Sequence, residues 1–107
     1  MSVDLLVLYA ATIESLEVPI ETNSDPTGAP PQFCLTSTSA SAPGTFSAGS
    51  WVGTYNADTQ LTTARTPTIG SAGSLTIASG QSYSLWVKVV LGGESAVWIV
   101  RPLLRCP

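Results

Sequence analysis

The stretch SYSLWVKVVLGGESAVWIV, residues 82–100, decides the fold. Its first half alternates apolar and polar positions, and one face of the strand carries Tyr83, Leu85, Val87, Val89 and Leu91. Gly92-Gly93 follows, and two glycines suit a tight turn because glycine adopts positive φ without strain. The returning strand offers two alternative inward sets, either Ala96, Trp98 and Val100 or Val97 and Ile99. This pattern predicts an antiparallel β-hairpin near the C-terminus.

Outside the hairpin, short alternating segments are separated by Gly, Pro, Ser, Thr and Asn, which is typical of β-strands. The segments before the hairpin lie at 3–9, 16–21, 32–36, 51–55, 60–65 and 74–78. Pro19 cannot donate a ladder hydrogen bond, so we expect its strand to lie at an edge or to contain a bulge. A helix over 12–18 is the alternative for that region. With about seven strands, the chain is predicted to be an antiparallel sandwich or barrel in a single domain, 1–107.

Two connecting segments differ in composition. Residues 22–31 contain three prolines among turn-forming residues and predict a stiff loop leading into the strand that begins at Gln32. Residues 36–50 are rich in Ser, Thr and Ala, a composition shared by disordered linkers and by extended loops that bind a partner. We expect an ordered loop.

The surface predicted from the composition is polar but nearly uncharged. Charged residues make up 10% of the chain, whereas Ser and Thr together number 27. Residues 1–64 hold six acids and no base, while residues 65–107 hold four bases and one acid. Either strands from both halves interleave and the asymmetry disappears, or the protomer is polar and its acidic face meets a basic face of a neighbour.

Several function classes are disfavoured by the same residues. The bases are scattered, so the chain lacks the basic patch that binds phosphates, and we expect no nucleic-acid partner. The apolar opening run contains Asp4 and is too short for a membrane span, so we expect no membrane association. Histidine is absent, which leaves transition metals without imidazole ligands and a Ser or Cys nucleophile without its usual base. We expect no cofactor and no enzymatic activity.

The two cysteines, Cys34 and Cys106, are far apart in sequence. The opening run lacks the basic leader of a signal peptide, and we expect the chain to fold in a cytoplasm with both thiols reduced. Each is then a small buried apolar side chain. A Cys34–Cys106 disulfide formed after release from the cell is the alternative.

Candidate binding residues are therefore aromatic and apolar side chains at positions where a partner has access. Trp86 and Lys88 lie on the hairpin face opposite the apolar one, where Trp86 is either an exposed anchor or part of a second buried face. Trp51 and Tyr55 form an aromatic pair in an earlier strand. Pro102 and Pro107 limit further pairing, so Leu103 and Leu104 are predicted to form a tail that docks elsewhere.

A series of spaced landmarks resembles a known group of proteins: Val18-Pro19-Ile20, Asp25-Pro26-Thr27-Gly28, Pro31 with Phe33, Ala42-Pro43, Trp51, Tyr83, Trp86-Val87-Lys88-Val89, and Glu94 leading to Val97. The chain is similar to the small immunoglobulin-like structural proteins of tailed phages, particularly those of actinobacteria. The resemblance implies an all-β fold, a single immunoglobulin-like antiparallel β-sandwich without catalytic residues. The Ser/Thr-rich 36–50 stretch and the terminal Cys106-Pro107 depart from the pattern.

The function implied by this resemblance is that of a non-enzymatic virion protein, assembled in the host cytoplasm. We expect a capsid decoration or cement protein that binds the major capsid protein, copies of itself, or both, in a homo-oligomer or larger assembly. The first alternative is a head-to-tail connector or tail protein. The second is a surface adhesion module that binds carbohydrate through Trp51, Trp86 or Trp98.

Overall fold

The computed structural model describes residues 5–7, 13–39 and 42–106, with backbone placement alone for 5–7 and 101–104. These residues contain no helix and form ten strands. The strands are β1 (Leu5–Val7), β2 (Glu17–Glu21), β3 (Gln32–Ser37), β4 (Ser47–Ala48), β5 (Ser50–Asn56), β6 (Leu61–Arg65), β7 (Ile69–Gly70), β8 (Leu75–Thr76), β9 (Gln81–Leu91) and β10 (Glu94–Cys106). Seven of these described strands have three or more residues, in agreement with the predicted number.

Two sheets make up the sandwich. One has five strands in the order β1-β10-β9-β3-β4, and the other has three in the order β2-β6-β5. This connectivity matches the C, F and G strands and the B, E and D strands of an immunoglobulin sandwich, with β4 extending the first sheet beyond C as in variable-type domains. The predicted all-β sandwich is therefore confirmed. Its pairs are antiparallel except for β1 with β10 and β7 with β8.

The core lies between the inner faces of these sheets. Inward side chains of β2 and β6 meet those of β3 and β9, and the buried cluster includes Val18, Ile20, Ala64, Phe33, Leu85, Val87 and Val89. Ile69, Leu75 and Ile77, from the segment around β7 and β8, add to the same cluster. Strand β8 covers only Leu75–Thr76, so the predicted strand at 74–78 is shorter than expected.

The hairpin has the predicted form. Gly92 and Gly93 have φ values of 57° and 86°, which residues with a Cβ rarely adopt, and Glu94 pairs with Leu91 across the turn. Of the two inward sets left open by the sequence, Trp98 and Val100 pack against the core, whereas Val97 and Ile99 face outward.

Strand β2 lies at the edge of its sheet, as Pro19 predicts, because β6 is its only neighbour among the described strands of that sheet. No helix occurs over 13–18, the described part of the alternative assignment. Glu14 instead forms an isolated bridge with Ile69.

The prediction that strand pairing stops and that Leu103 and Leu104 form a tail that docks elsewhere is wrong for the backbone. Strand β10 continues to Cys106, and these two leucines pair with Leu5 and Leu6 of β1. Pro102 is accommodated because the ladder with β9 changes register between Arg101 and Leu104, where a missing N–H removes no ladder bond. The side chains of both leucines lie outside the described residues.

Both cysteines are free and buried. Cys106 belongs to the core cluster, while Cys34 pairs with Trp86 and lies outside that cluster. The flanking residues Phe33 and Leu35 pack inward, so Cys34 faces the outer side of the five-stranded sheet. The two thiols thus lie on opposite sides of this sheet and form no disulfide.

Part of the Ser/Thr-rich stretch covers Cys34. The backbone N–H of Gly44 donates a hydrogen bond to its Sγ at 3.2 Å. Thr36 and Ser37 complete β3, Ser47 and Ala48 form β4, and residues 40–41 lie outside the described part. The described portion of 36–50 is therefore held by contacts within the chain.

Candidate interaction surface

The outward side of the β9–β10 hairpin carries an unusual set of side chains. We call it the hairpin face and define it as Trp86, Lys88, Val90, Ser95, Val97 and Ile99. The strand register places Ile99 opposite Trp86 and Val97 opposite Lys88. Val97 and Ile99 are 42% and 41% exposed, so two large apolar side chains lie next to each other in solvent. Lys88 is the one charged member of this face.

Trp86 is half-buried at the centre of the five-stranded sheet. Its indole Nε1–H donates to the Thr36 hydroxyl oxygen at 2.9 Å, across the neighbouring strand β3. The polar atom of the side chain is therefore already satisfied within the molecule. Trp86 offers a partner its apolar ring surface and no free donor.

Lys88 lies two residues beyond Trp86 on the same face. Its Nζ is 5.4 Å from the centroid of the Phe46 ring, a distance that favours a cation–π interaction. The contact links the hairpin to the segment that precedes β4.

Trp51 is placed elsewhere. It lies in β5 of the three-stranded sheet, packs against the core, and donates from Nε1 to the carbonyl oxygen of Ala29 at 2.8 Å. The structure thus brings Trp86 and Lys88 together, separates Trp51 from them, and leaves the Leu103 and Leu104 side chains undescribed.

A groove lies at the hairpin-turn end of the sandwich. Because β9 and β10 have 11 and 13 residues and β2 and β6 have 5 each, the inner side of the hairpin extends beyond the shorter sheet. The cavity has a volume of about 190 Å³ and opens to solvent. We call it the end groove; its lining is Glu21, Thr22, Asn23, Val89, Leu91, Ala96 and Trp98.

Acidic and basic residues are unevenly distributed between the two sheets. Three strands of the five-stranded sheet, β1, β3 and β4, come from the N-terminal half of the chain. They contain no charged residue, so their pairing with β9 and β10 does not cancel the charge asymmetry between the two halves. The three-stranded sheet carries Glu17, Glu21 and Arg65, of which Glu17 and Arg65 form an exposed salt bridge of 2.7 Å. Among the described residues, every acid except Glu94 therefore lies on the three-stranded sheet or in the segments next to it, whereas three of the four bases lie on β9 and β10.

Sequence reasoning missed Val97, Ile99 and the end groove. The first two were included only as alternative core residues, and an uninterrupted apolar run from Ala96 to Val100 gives no alternation to decide between the faces. The groove joins residues 21–23 to residues 89–98, and no local pattern marks such a distant juxtaposition.

Within the described residues, no group of three or more Cys, Asp or Glu side chains is placed to hold a metal ion. None of the described segments forms a helix long and apolar enough to cross a membrane. Comparisons with protein families, curated proteins and solved structures found no match.

Proposed function

We propose that this chain is a non-enzymatic structural protein of a phage virion that decorates the capsid and binds the major capsid protein through the hairpin face. The observation that carries the proposal is the adjacent exposure of Val97 and Ile99 beside half-buried Trp86. Single exposed apolar residues are ordinary, but a contiguous set on a flat sheet face favours a binding role.

The chemistry of the hairpin face suits permanent burial against a protein. Apolar and aromatic side chains occupy the fully desolvated centre of protein interfaces, where charged residues are depleted. Unpaired charges are costly to bury, and this face carries one, which already has Phe46 as a neighbour. Docking therefore desolvates a single charge, and a carboxylate of the partner opposite Lys88 would offset that cost.

The virion context rests on the resemblance described above, and several of its landmarks have structural roles. Pro19 occupies the edge strand β2, Phe33 lies in the core, and Trp51 joins the three-stranded sheet to the loop before β3. These roles are the ones that a small sandwich protein acting through its surface requires of its framework.

Copy number on purified virions tests this proposal. Quantitative mass spectrometry would compare the chain with the major capsid protein of the phage that encodes it. One copy of the chain for each major capsid protein, or one for each capsomer, would support decoration of the whole shell. A count equal to one small ring favours the connector or tail alternative, which a polar protomer also suits. Absence from particles would contradict any virion role.

The end groove favours carbohydrate binding as a second candidate function. The indole N–H groups of Trp51 and Trp86 are engaged within the molecule, whereas Trp98 lines the groove beside Glu21 and Asn23. An aromatic ring with neighbouring carboxylate and amide groups is able to hold a sugar. A glycan array on which the chain binds nothing would remove this candidate.

A further inference from the structure

We infer that the end groove receives the Arg105 side chain of a second copy of this chain, in a head-to-tail contact. The inference concerns a surface separate from the hairpin face and does not depend on capsid binding. It follows from the chemistry of the groove and from the position of the bases in the fold.

The groove offers the elements that bind a cation on an apolar stem. Glu21 contributes a carboxylate that forms no ion pair in the described part of the chain, and Trp98 contributes an aromatic ring. Val89, Leu91 and Ala96 form apolar walls. An arginine side chain matches this combination, because its stem packs on apolar surface while its guanidinium binds carboxylates and aromatic faces.

A sugar fits the lining less well. The Thr22 hydroxyl already donates to the carbonyl oxygen of Ser24 at 2.8 Å, and the carbonyl oxygen of Thr22 accepts from Tyr55. Glu21 and Asn23 remain as the polar side chains for a ligand. Sugars need several donors and acceptors, whereas a guanidinium needs acceptors alone, which the Glu21 carboxylate and the Asn23 amide oxygen supply beside open solvent.

Among the bases whose side chains are described, Arg105 is the one with the weakest internal contacts. Arg65 pairs with Glu17 at 2.7 Å, and Lys88 lies over Phe46. Arg105 is exposed and donates to the Ser82 hydroxyl at 3.4 Å, close to the limit for a hydrogen bond.

Arg105 does not reach the groove of its own molecule. It pairs with Ser82 at the start of β9, whereas the groove lies near Leu91 at the end of that strand. Roughly nine residues of extended chain separate these positions by about 30 Å. The base must therefore come from another copy, and a contact between two different surfaces of the same protein is heterologous and builds rings or filaments.

Long-range electrostatics support the same orientation. Glu94 follows the hairpin turn, and Asp58 lies in the turn between β5 and β6 that adjoins Glu21. The groove end is consequently acidic, whereas at the other end Glu14 and Glu17 are offset by Arg65 and Arg105. Such charge complementarity accelerates association and weakens as salt is added.

Sedimentation velocity of the full chain tests the inference, over a range of protein and salt concentrations. We expect wild-type protein to associate at low salt and dissociate as salt rises. Glu21→Arg and Arg105→Glu should each weaken association by about tenfold or more. An equimolar mixture of the two variants should regain association, because the groove of either variant meets an opposite charge on the C-terminal end of the other, whereas contacts between identical variants bring like charges together.

Glu94→Arg is the matched control, because it changes the net charge equally at the same end without lining the groove. It should weaken association far less than Glu21→Arg. Circular dichroism would establish that every variant is folded. Wild-type protein that stays monomeric, equal effects of Glu94→Arg and Glu21→Arg, or no association in the mixture would each overturn the inference. A monosaccharide that shifts the Trp98 indole NMR signal, with Arg105→Glu without effect on association, would assign the groove to carbohydrate instead.

Discussion

The two sheets of this sandwich have similar inner faces and different outer faces. In the three-stranded sheet, β2 alternates strictly, with Val18 and Ile20 buried and Glu17, Pro19 and Glu21 exposed. In the five-stranded sheet, apolar side chains occupy both sides of β10 between Val97 and Val100. An antiparallel sheet with one solvated face needs polar residues on that face for solubility, so the outward Val97 and Ile99 are not required by the fold. The departure from alternation marks the face that we assign to binding.

The largest expected change in the free energy of unfolding distinguishes the inner side of the hairpin, which packs in the core, from its outer side. Leu85→Ala removes a fully buried side chain between the sheets and should lower the free energy of unfolding by about 2–5 kcal/mol. Ile99→Ala, on the neighbouring strand but facing outward, should change it by about 0.5 kcal/mol or less. Urea denaturation measures both. A large loss in Ile99→Ala would mean that the hairpin face contributes to the core.

A second prediction concerns the crossing from one sheet to the other. Gly49 alone separates β4 from β5, and a Cβ there would meet the Arg65 carbonyl oxygen and lie 2.8 Å from the Phe33 ring. Gly49→Ala should cost about 1–3 kcal/mol through overpacking. Gly28→Ala is the control, since a Cβ at that position has open space. Equal thermal stabilities for the two variants would contradict the close approach of the sheets at Gly49.

Two buried threonines, on and next to the three-stranded sheet, allow a further comparison with smaller expected changes in the free energy of unfolding. Thr62 and Thr66 are both 2% exposed, but Thr66 Oγ1 accepts from the Leu16 N–H at 2.9 Å, while Thr62 Oγ1 has no partner among the described residues. Thr66→Val should therefore destabilise the protein by about 1–3 kcal/mol.

Thr62→Val should instead leave stability unchanged or raise it by about 1 kcal/mol, because it removes a hydroxyl that folding desolvates without compensation. Thermal unfolding compares the pair. A loss in Thr62→Val as large as that in Thr66→Val would show that the Thr62 hydroxyl makes a stabilising contact.

The smallest effect is local and lies in the loop that joins the sheets. Hydrogen bonds from the Thr27 hydroxyl, at 2.6 Å, and from the Thr27 N–H lower the pKa of Asp25 below its ordinary 3.8. The ionised Asp25 therefore stabilises the turn at pH values above the ordinary pKa of 3.8, and this stabilisation is lost as the pH falls through the lowered pKa. Thr27→Val keeps the N–H and should raise the pKa of Asp25 toward 3.8. Carboxyl NMR titration measures it, and an unchanged pKa would mean that the hydroxyl contributes nothing.

Much of the fold could be predicted because its signals are local. The alternation from Tyr83 to Leu91 and the two glycines after it determine the hairpin, and Pro19 determines the edge strand. The continuation of β10 beyond Pro102 could not be predicted, because it depends on a register change at which the ladder tolerates the proline.

Less of the hairpin face and of the end groove could be predicted from the sequence. Trp86 and Lys88 were found because their two-residue spacing places both on one face. Their apolar neighbours on β10 were ambiguous, since Ala96 to Val100 is apolar throughout and packing against the other sheet decides which side turns inward. The end groove depends on the difference in length between the hairpin and β2, which is a property of the assembled sandwich.

The central claim is that the hairpin face, and not the outer face of the three-stranded sheet, binds the particle. Ile99→Ser and Leu61→Ser test it directly, because both residues are 41% exposed and lie on opposite sheets. Purified variants would be incubated with virions lacking this chain, and the bound copies counted by mass spectrometry. We predict that Ile99→Ser lowers the affinity for particles by about tenfold or more while Leu61→Ser binds as wild type does. Retention of Ile99→Ser at wild-type levels, or equal losses in both variants, would contradict the account.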